Sequence, residues 1–429
     1  MRIDDNGVDT GALYRVHVGG QSGTIQVSSL AHLYPSFLHQ VRIIPVNGDR
    51  AVGEASDVSS VTMDGVYPVD GGNVGSGFGL NVAGSDGFLT SNNYAGTDSV
   101  EVFDQKTKLV TSVPATGDAS QSVFGTASGG GAYPTDIALY SLLNLTSSTF
   151  DYQVLNPMAN GTIASGWTPP TFPSGESILE SAIDPVDGDP AFITFAEGPA
   201  PSFDGVAHLF TSKILANTIG PVYDVSGPVA SQQAGQYTGL AENPLTHKAL
   251  LVTGPESYAS CSQVAGPTLV TVPLAGPSAG KVSSFAGLGK GPPLGVAIDY
   301  VTNKAAVTQQ CDAGLSIYDL ATNAGNEISL PAVPGAHDGQ SSGSWVAADP
   351  LHHLFSVSQG IAPDLFFNNN GLSEVDVYDE NGGLRARQNR FNFFGQFVQI
   401  ASNPLQMSPM LRTGFTLGPL GQSLEPFNY

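Results

Sequence analysis

Apolar and polar positions alternate in a fixed order along LGVAIDYVTNKAAVTQQCDAGLSIYDLATNAGNEISLP, from Leu294 to Pro331. A run of small apolar residues (Gly295, Val296, Ala297, Ile298) ends at Asp299, and a second apolar run covers 304–308. The next segment, 315–322, alternates with a period of two, and a short segment closes the unit at 326–331. Continuous apolar runs of this length fit strands buried on both faces, while alternation predicts a half-buried strand. Asp or Asn at the end of the first run turns the chain, because its side chain can bond the backbone two residues on. The pattern therefore predicts four consecutive strands joined by tight turns.

The unit recurs. The same first run and turn appear as ILESAIDP at Asp184, TGLAENP at Asn243, WVAADP at Asp349 and FVQIASNP at Asn403, with weaker copies near Gly84 and Ser128. Second runs follow as GFLTS (87–91), PAFITF (190–195), KALLVT (248–253) and HLFSVS (353–358). Third runs alternate in SVEVFDQKT (99–107) and SEVDVYDEN (373–381). The turns fall near 84, 128, 184, 243, 299, 349 and 403, close to the period of four-stranded propeller blades. Seven turns predict seven blades.

GVAIDYVTNKAAVTQQCDAGLSIYDLATNAGNEISLP resembles the YVTN-repeat family of seven-bladed β-propellers, and more broadly the lactonase-type propellers. The likeness is close over 294–331, recognisable over 176–405 and weak before 78. It implies an all-β fold, a seven-bladed propeller of four-stranded antiparallel blades, in an extracytoplasmic setting. It implies no single reaction, because propellers host many functions. A ring removes its free sheet edges only when it closes. The end of the chain, from 406 to 429, is too short for a full blade, while ALYRVHV (12–18), GTIQVSS (23–29) and HQVRIIPV (39–46) are strand-like. N-terminal strands are thus expected to complete the C-terminal blade within a single domain, 1–429. Residues 1–78 close and lead in, 79–405 carry the repeats, and 406–429 form the closing blade and tail. Every Arg lies at Arg50 or earlier or at Arg385 or later, so closure gathers them in one sector. There they neutralise nearby acids or form a patch for an acidic group.

Composition narrows the functions. Charged residues make up only 12% of the chain, whereas Gly 52 and Pro 30 suit short strands and tight turns. Lys+Arg 15 against Asp+Glu 37 gives a net charge of −22, which opposes binding to nucleic acid or anionic membrane. No apolar run is long enough to cross a membrane as a helix. The start, MRIDDNGVDTGALYRV, lacks the apolar stretch of a leader. Either the protein is cytosolic or a leader has been removed. The second is the expectation, with an extracellular or periplasmic location and a monomeric state.

In the expected ring, the loops between blades and those between second and third strands share one face, and here they are long. Cys261 and Cys311 fall in such loops on neighbouring blades, where a disulfide is expected. His337 and Asp338 precede a first strand, and a His beside a carboxylate suits a general base. Glu176, Glu180, Glu197, Asp204, His208, Glu256, Asp312 and Asp364 are further candidates by loop position, with Tyr94 and Tyr258 as aromatic binding residues. No cofactor signature is present. Converging carboxylates would suit Ca²⁺, yet no DxDxDG-type run occurs. His352 and His353 read as exposed turn residues. There is no G-x-S-x-G, P-loop, H-E-x-x-H or zinc spacing. Two function classes stay open. One is a secreted or surface propeller binding a protein, small molecule or carbohydrate through its long-loop face without turnover. The other is a lactonase-, hydrolase- or lyase-type enzyme with an axial His–carboxylate or divalent-cation site, acting on a small ester or acidic sugar.

Overall fold

The computed structural model describes strands along the whole chain. It describes connecting segments and most side chains within residues 167–391, apart from 197, 199–204, 215, 231–237, 255–265, 291–292, 310–313, 332–340 and 362–371, together with Met407, Gly414 and Tyr429. Four consecutive four-stranded antiparallel sheets dominate this region, each with its strands paired in chain order. Sheet 177–224 comprises Ser177–Ile183, Pro190–Ala196, Val206–Lys213 and Thr218–Asp224. Sheet 238–286 comprises Thr238–Asn243, Lys248–Thr253, Thr268–Pro273 and Ser283–Ala286. Sheet 293–329 comprises Pro293–Asp299, Lys304–Gln309, Gly314–Asp319 and Ala324–Ser329. Sheet 341–391 comprises Ser341–Asp349, Leu354–Ile361, Leu372–Asp379 and Leu384–Phe391.

The second strands explain their own composition. Ala249 and Leu251 pack into the cluster shared with sheet 177–224, while Leu250 and Val252 pack into the cluster shared with sheet 293–329. A strand covered on both faces needs an unbroken apolar run. The third strands correct the half-buried expectation. Leu315, Ser316, Ile317 and Tyr318 are all buried, because a neighbouring sheet covers each face. The polar member of the alternation, Ser316, accepts a bond from Gln309 Nε2 (3.2 Å) inside the sheet. Fourth strands are the exposed edges, as in Ala324–Ser329.

The first-to-second-strand turns repeat one geometry. The Oδ1 atoms of Asp184, Asn243, Asp299 and Asp349 each accept the backbone N–H groups two and three residues on, at 2.8–3.2 Å. The residue four positions on is left-handed in every case: Gly188 (φ 75), His247 (φ 47), Asn303 (φ 57) and His353 (φ 57). Glycine and asparagine suit that conformation; the histidines hold it because the turn is pinned on both sides. These turns also join the sheets. Asn243 Nδ2 donates to Asn303 Oδ1 (2.9 Å), and His353 Nδ1 donates to Asp299 Oδ2 (2.9 Å). His352 Nδ1 donates to Asp349 Oδ2 (2.8 Å), which also accepts the hydroxyl of Tyr429 (2.7 Å). His352 and His353 are therefore partners of buried aspartates, not free turn residues.

Towards the chain ends, further sheets comprise Asn73–Leu80, Asp86–Asn92, Ser99–Asp104 and Val110–Pro114, then Val123–Ala127, Ile137–Asn144 and Thr149–Leu155. The C-terminal strands Leu405–Ser408, Thr413–Leu417 and Leu424–Asn428 pair with one another. At the N-terminus, Val8–Leu13, Arg2–Asp5, Leu38–Ile44 and Ser59–Thr62 form their own sheet in that order. The described pairings thus do not join N-terminal strands to the C-terminal sheet. The Asn403 anchor lies outside the described residues. Among the described residues no helix is long and apolar enough to cross a membrane.

Candidate functional site

Strand direction sorts the connections into two ends. First strands run towards the Asp/Asn turns and second strands run back, so inter-sheet loops and second-to-third-strand loops share the opposite end. At that end of sheet 177–224, Glu176 precedes the first strand, and Thr194, His208 and Asp224 pair across three successive strands. Residues in register share a sheet face, so one polar row spans the rim.

Glu176 lies at the centre of this row. His208 Nδ1 donates to Glu176 Oε1 (2.9 Å), and the Thr194 hydroxyl donates to Glu176 Oε2. The Glu176 side chain is 6% exposed and that of His208 25% exposed. The bond fixes the imidazole orientation, and the ring stays partly exposed. The Phe210 ring stands edge-on to His208 at 6.0 Å. Asp224 is held below its ordinary range, chiefly by its bonds to Ser226 and, to a smaller degree, by His208.

This order of groups decides what chemistry is available. A nucleophilic hydroxyl needs a base at its proton, with the acid behind the base. Here both the hydroxyl and the imidazole end on the same carboxylate, so His208 does not activate Thr194. The row can present a fixed donor or acceptor to a ligand, but it does not form an acyl-transfer site.

Two acids lie within first strands. Glu180 was expected on a loop; it sits in Ser177–Ile183, and burial pushes its carboxyl up to about 8 against one bond from Ser181 N–H. Some of its surface still reaches solvent. Glu242 is 9% exposed, and burial raises its carboxyl well above the usual range, reinforced by Asp184 and Asp189 and opposed by Lys213. A charged residue inside a small apolar run, as in GLAEN, was the available sequence signal for it.

A second polar network had no motif to announce it. In sheet 341–391, Gln359 Nε2 donates to Asp376 Oδ2 (2.7 Å), the Tyr378 hydroxyl donates to the same oxygen (3.3 Å), and Arg387 Nε lies 3.7 Å from Oδ1. Burial pushes the Asp376 carboxyl up to about 6, opposed by the bonds from Gln359 and Tyr378. The same places in sheet 293–329 hold Gln309, Ser316 and Tyr318. There Gln309 Nε2 donates to Leu288 O (3.2 Å) and the Tyr318 hydroxyl accepts Leu288 N–H (2.7 Å). These groups clamp the loop that enters the sheet, a structural task.

Of the residues expected to form the site, Glu176 and His208 are brought into direct contact. His337, Asp338, Tyr94, Glu197, Asp204, Glu256, Tyr258, Asp312 and Asp364 lie outside the described residues, as do Cys261 and Cys311. Among the described residues no three of His, Cys, Asp or Glu are grouped so as to hold a metal ion.

No family model matches the chain, and no curated protein does. Solved structures do. The β-propeller domain of Cps50 (Swd1) from Myceliophteria thermophila is 11% identical, with a TM-score of 0.53, covering 85% of this chain and 99% of that one. A puromycin hydrolase mutant complexed with PGG is 13% identical, with a TM-score of 0.51, covering 81% of this chain and 50% of that one. The fold is a β-propeller. Identity this low speaks to fold alone.

Proposed function

We propose that this chain is a closed seven-bladed propeller that acts as a binding scaffold, taking a protein partner or small ligand on its loop-bearing face without turnover. Support for the ring comes from the first strands, which adjoin their neighbours in succession from Asn73–Leu80 through Val123–Ala127 and the four central sheets to Leu405–Ser408. Leu405–Ser408 in turn adjoins Asn73–Leu80, so contact between sheets rather than N-terminal strand pairing would shut the ring. An extracytoplasmic setting belongs to the same reading, supported by the sequence placement of Cys261 and Cys311 in successive second-to-third-strand loops.

The observation that carries the binding reading is the Glu176-centred row. It builds a rigid, partly exposed imidazole at the rim while withholding the base that a hydroxyl nucleophile needs. Rigid strands presenting function on loops and rims is the usual division of labour in such folds.

The test has two arms. Peptides selected by display against the wild-type protein should lose about tenfold or more in affinity for His208→Ala and Glu176→Gln. In parallel, a panel of small lactones and esters should show no turnover above background. A lactonase or esterase activity that His208→Ala abolishes would establish the enzyme reading instead.

A further inference from the structure

One core place changes character among the four central sheets. Phe192, Leu251, Val307 and Val357 stand at the same distance after their turn anchors, and in register with them on the third strands are Phe210, Val270, Ser316 and Asp376. An aromatic ring, an aliphatic chain and a small hydroxyl fill the first three. The last is a carboxyl, on a residue 0% exposed. A carboxylate in such a place is costly unless each oxygen finds a donor.

Here one oxygen does and the other does not. Asp376 Oδ2 accepts Gln359 Nε2 and the Tyr378 hydroxyl, whereas Oδ1 is buried with no hydrogen-bond partner. Gln359 Oε1, on the amide that bonds this same carboxyl, is buried and unpartnered as well. Arg387 Nε comes only to 3.7 Å from Oδ1, beyond hydrogen-bond reach. The facing sheet presents Leu315, Ile317 and Leu330, none of them titratable. Glu374 is the further acid on the same strand, in register with Gln359.

Comparison with sheet 293–329 accounts for the inward turn of these groups. There Gln309 and Tyr318 bond the backbone O and N–H of Leu288, just beyond the strand that ends at Ala286. Register places Ser329 where Ala286 stands, so the matching residue is Pro331, which has no N–H. The Tyr378 hydroxyl donates to Asp376 instead, and Gln359 Nε2 donates beside it. Gln309 Oε1 is unpartnered too, but an amide oxygen costs less to bury than a carboxylate oxygen.

We propose that Asp376 is held as the neutral acid, its Oδ1–H donating to Gln359 Oε1, and that this acid–amide ring is a pH-sensitive latch at the loop-bearing end of sheet 341–391. A single proton satisfies both orphaned acceptors. Burial supports it by pushing the carboxyl from 3.8 up to about 6 against the bonds from Gln359 and Tyr378. The ring stabilises the fold fully below the ordinary value, and that contribution is lost as pH rises through the folded one. The proton then leaves to solvent, the carboxylate and the amide oxygen repel each other, and packing against sheet 293–329 loosens.

Asp376→Asn tests this, because an amide keeps both bonds of the ring without the proton. The variant should melt within about 2 °C of wild type at pH 5 and about 3 °C or more above it at pH 8. Hydrogen-exchange protection of Leu354–Ile361 and Leu372–Asp379 should fall from pH 5 to pH 8 in wild type, after correction for intrinsic rates, and hold in the variant. A variant that melts at or below wild type at pH 8, or does not fold, overturns the proposal. That result would mean a charged Asp376, held by Arg387 or by a buried water. Wild-type protection that is the same at both pH values overturns it as well.

Discussion

Glu242 shows how one side chain can tie stability to pH. Its Oε1 has no hydrogen-bond partner among the described residues, and burial with Asp184 and Asp189 nearby holds its carboxyl well above the ordinary 4.5. The folded state therefore favours the protonated acid. The stabilisation is complete below the unfolded value and is lost as pH rises towards the folded one. Glu180, raised by burial to about 8, adds a trend of the same sign. Urea midpoints of the wild-type protein should fall between about pH 5 and pH 9, and Glu242→Gln should flatten that slope and raise the alkaline midpoint. A midpoint in Glu242→Gln that falls as steeply as in wild type would count against the assignment. At this scale the sequence offered Glu176 and His208 only as separate loop candidates; the structure brings them into contact, His208 from within Val206–Lys213. The sequence could not show Thr194 completing the row, because a threonine in an apolar strand looks like packing until the register sets it opposite His208.

At the scale of the element, the Asp/Asn turns were legible because their chemistry is local. Each anchor satisfies N–H groups only two and three residues away. Their second role, bonding the turn of the next sheet, was not legible, because Asp299 and His353 are far apart in sequence. The two roles predict unequal costs. Asp299 is fully buried and accepts bonds from Val301, Thr302 and His353, so Asp299→Ala should cost about 3 kcal/mol. Asp319 caps Ala321 and Thr322 at an exposed turn, and Asp319→Ala should cost about 1 kcal/mol. Denaturant titration of the two variants checks the difference. Equal costs would mean that the contacts between sheets contribute nothing measurable.

Across the whole molecule, a net charge of −22 sets self-repulsion against compactness. Screening should relieve it, so the melting temperature should rise by a few degrees between about 0.01 M and 0.5 M sodium chloride. A melting temperature that falls with salt would show that the described pairs, such as Lys213–Asp189 and Arg385–Asp379, outweigh the repulsion.

Strand order, turn chemistry and the repeat were determined by the sequence alone, because each depends on residues within a few positions of one another. A first run such as GVAID, an Asp and a second run such as KAAVT define a hairpin wherever they occur. Tertiary structure alone decided which polar groups meet. It covered both faces of the third strands, turned the histidines of the DPLHH segment into partners of buried aspartates, and set Glu176 between His208 and Thr194. The reason is physical: a hydrogen bond between sheets depends on how backbones stack, and no local pattern of apolar and polar residues encodes that distance.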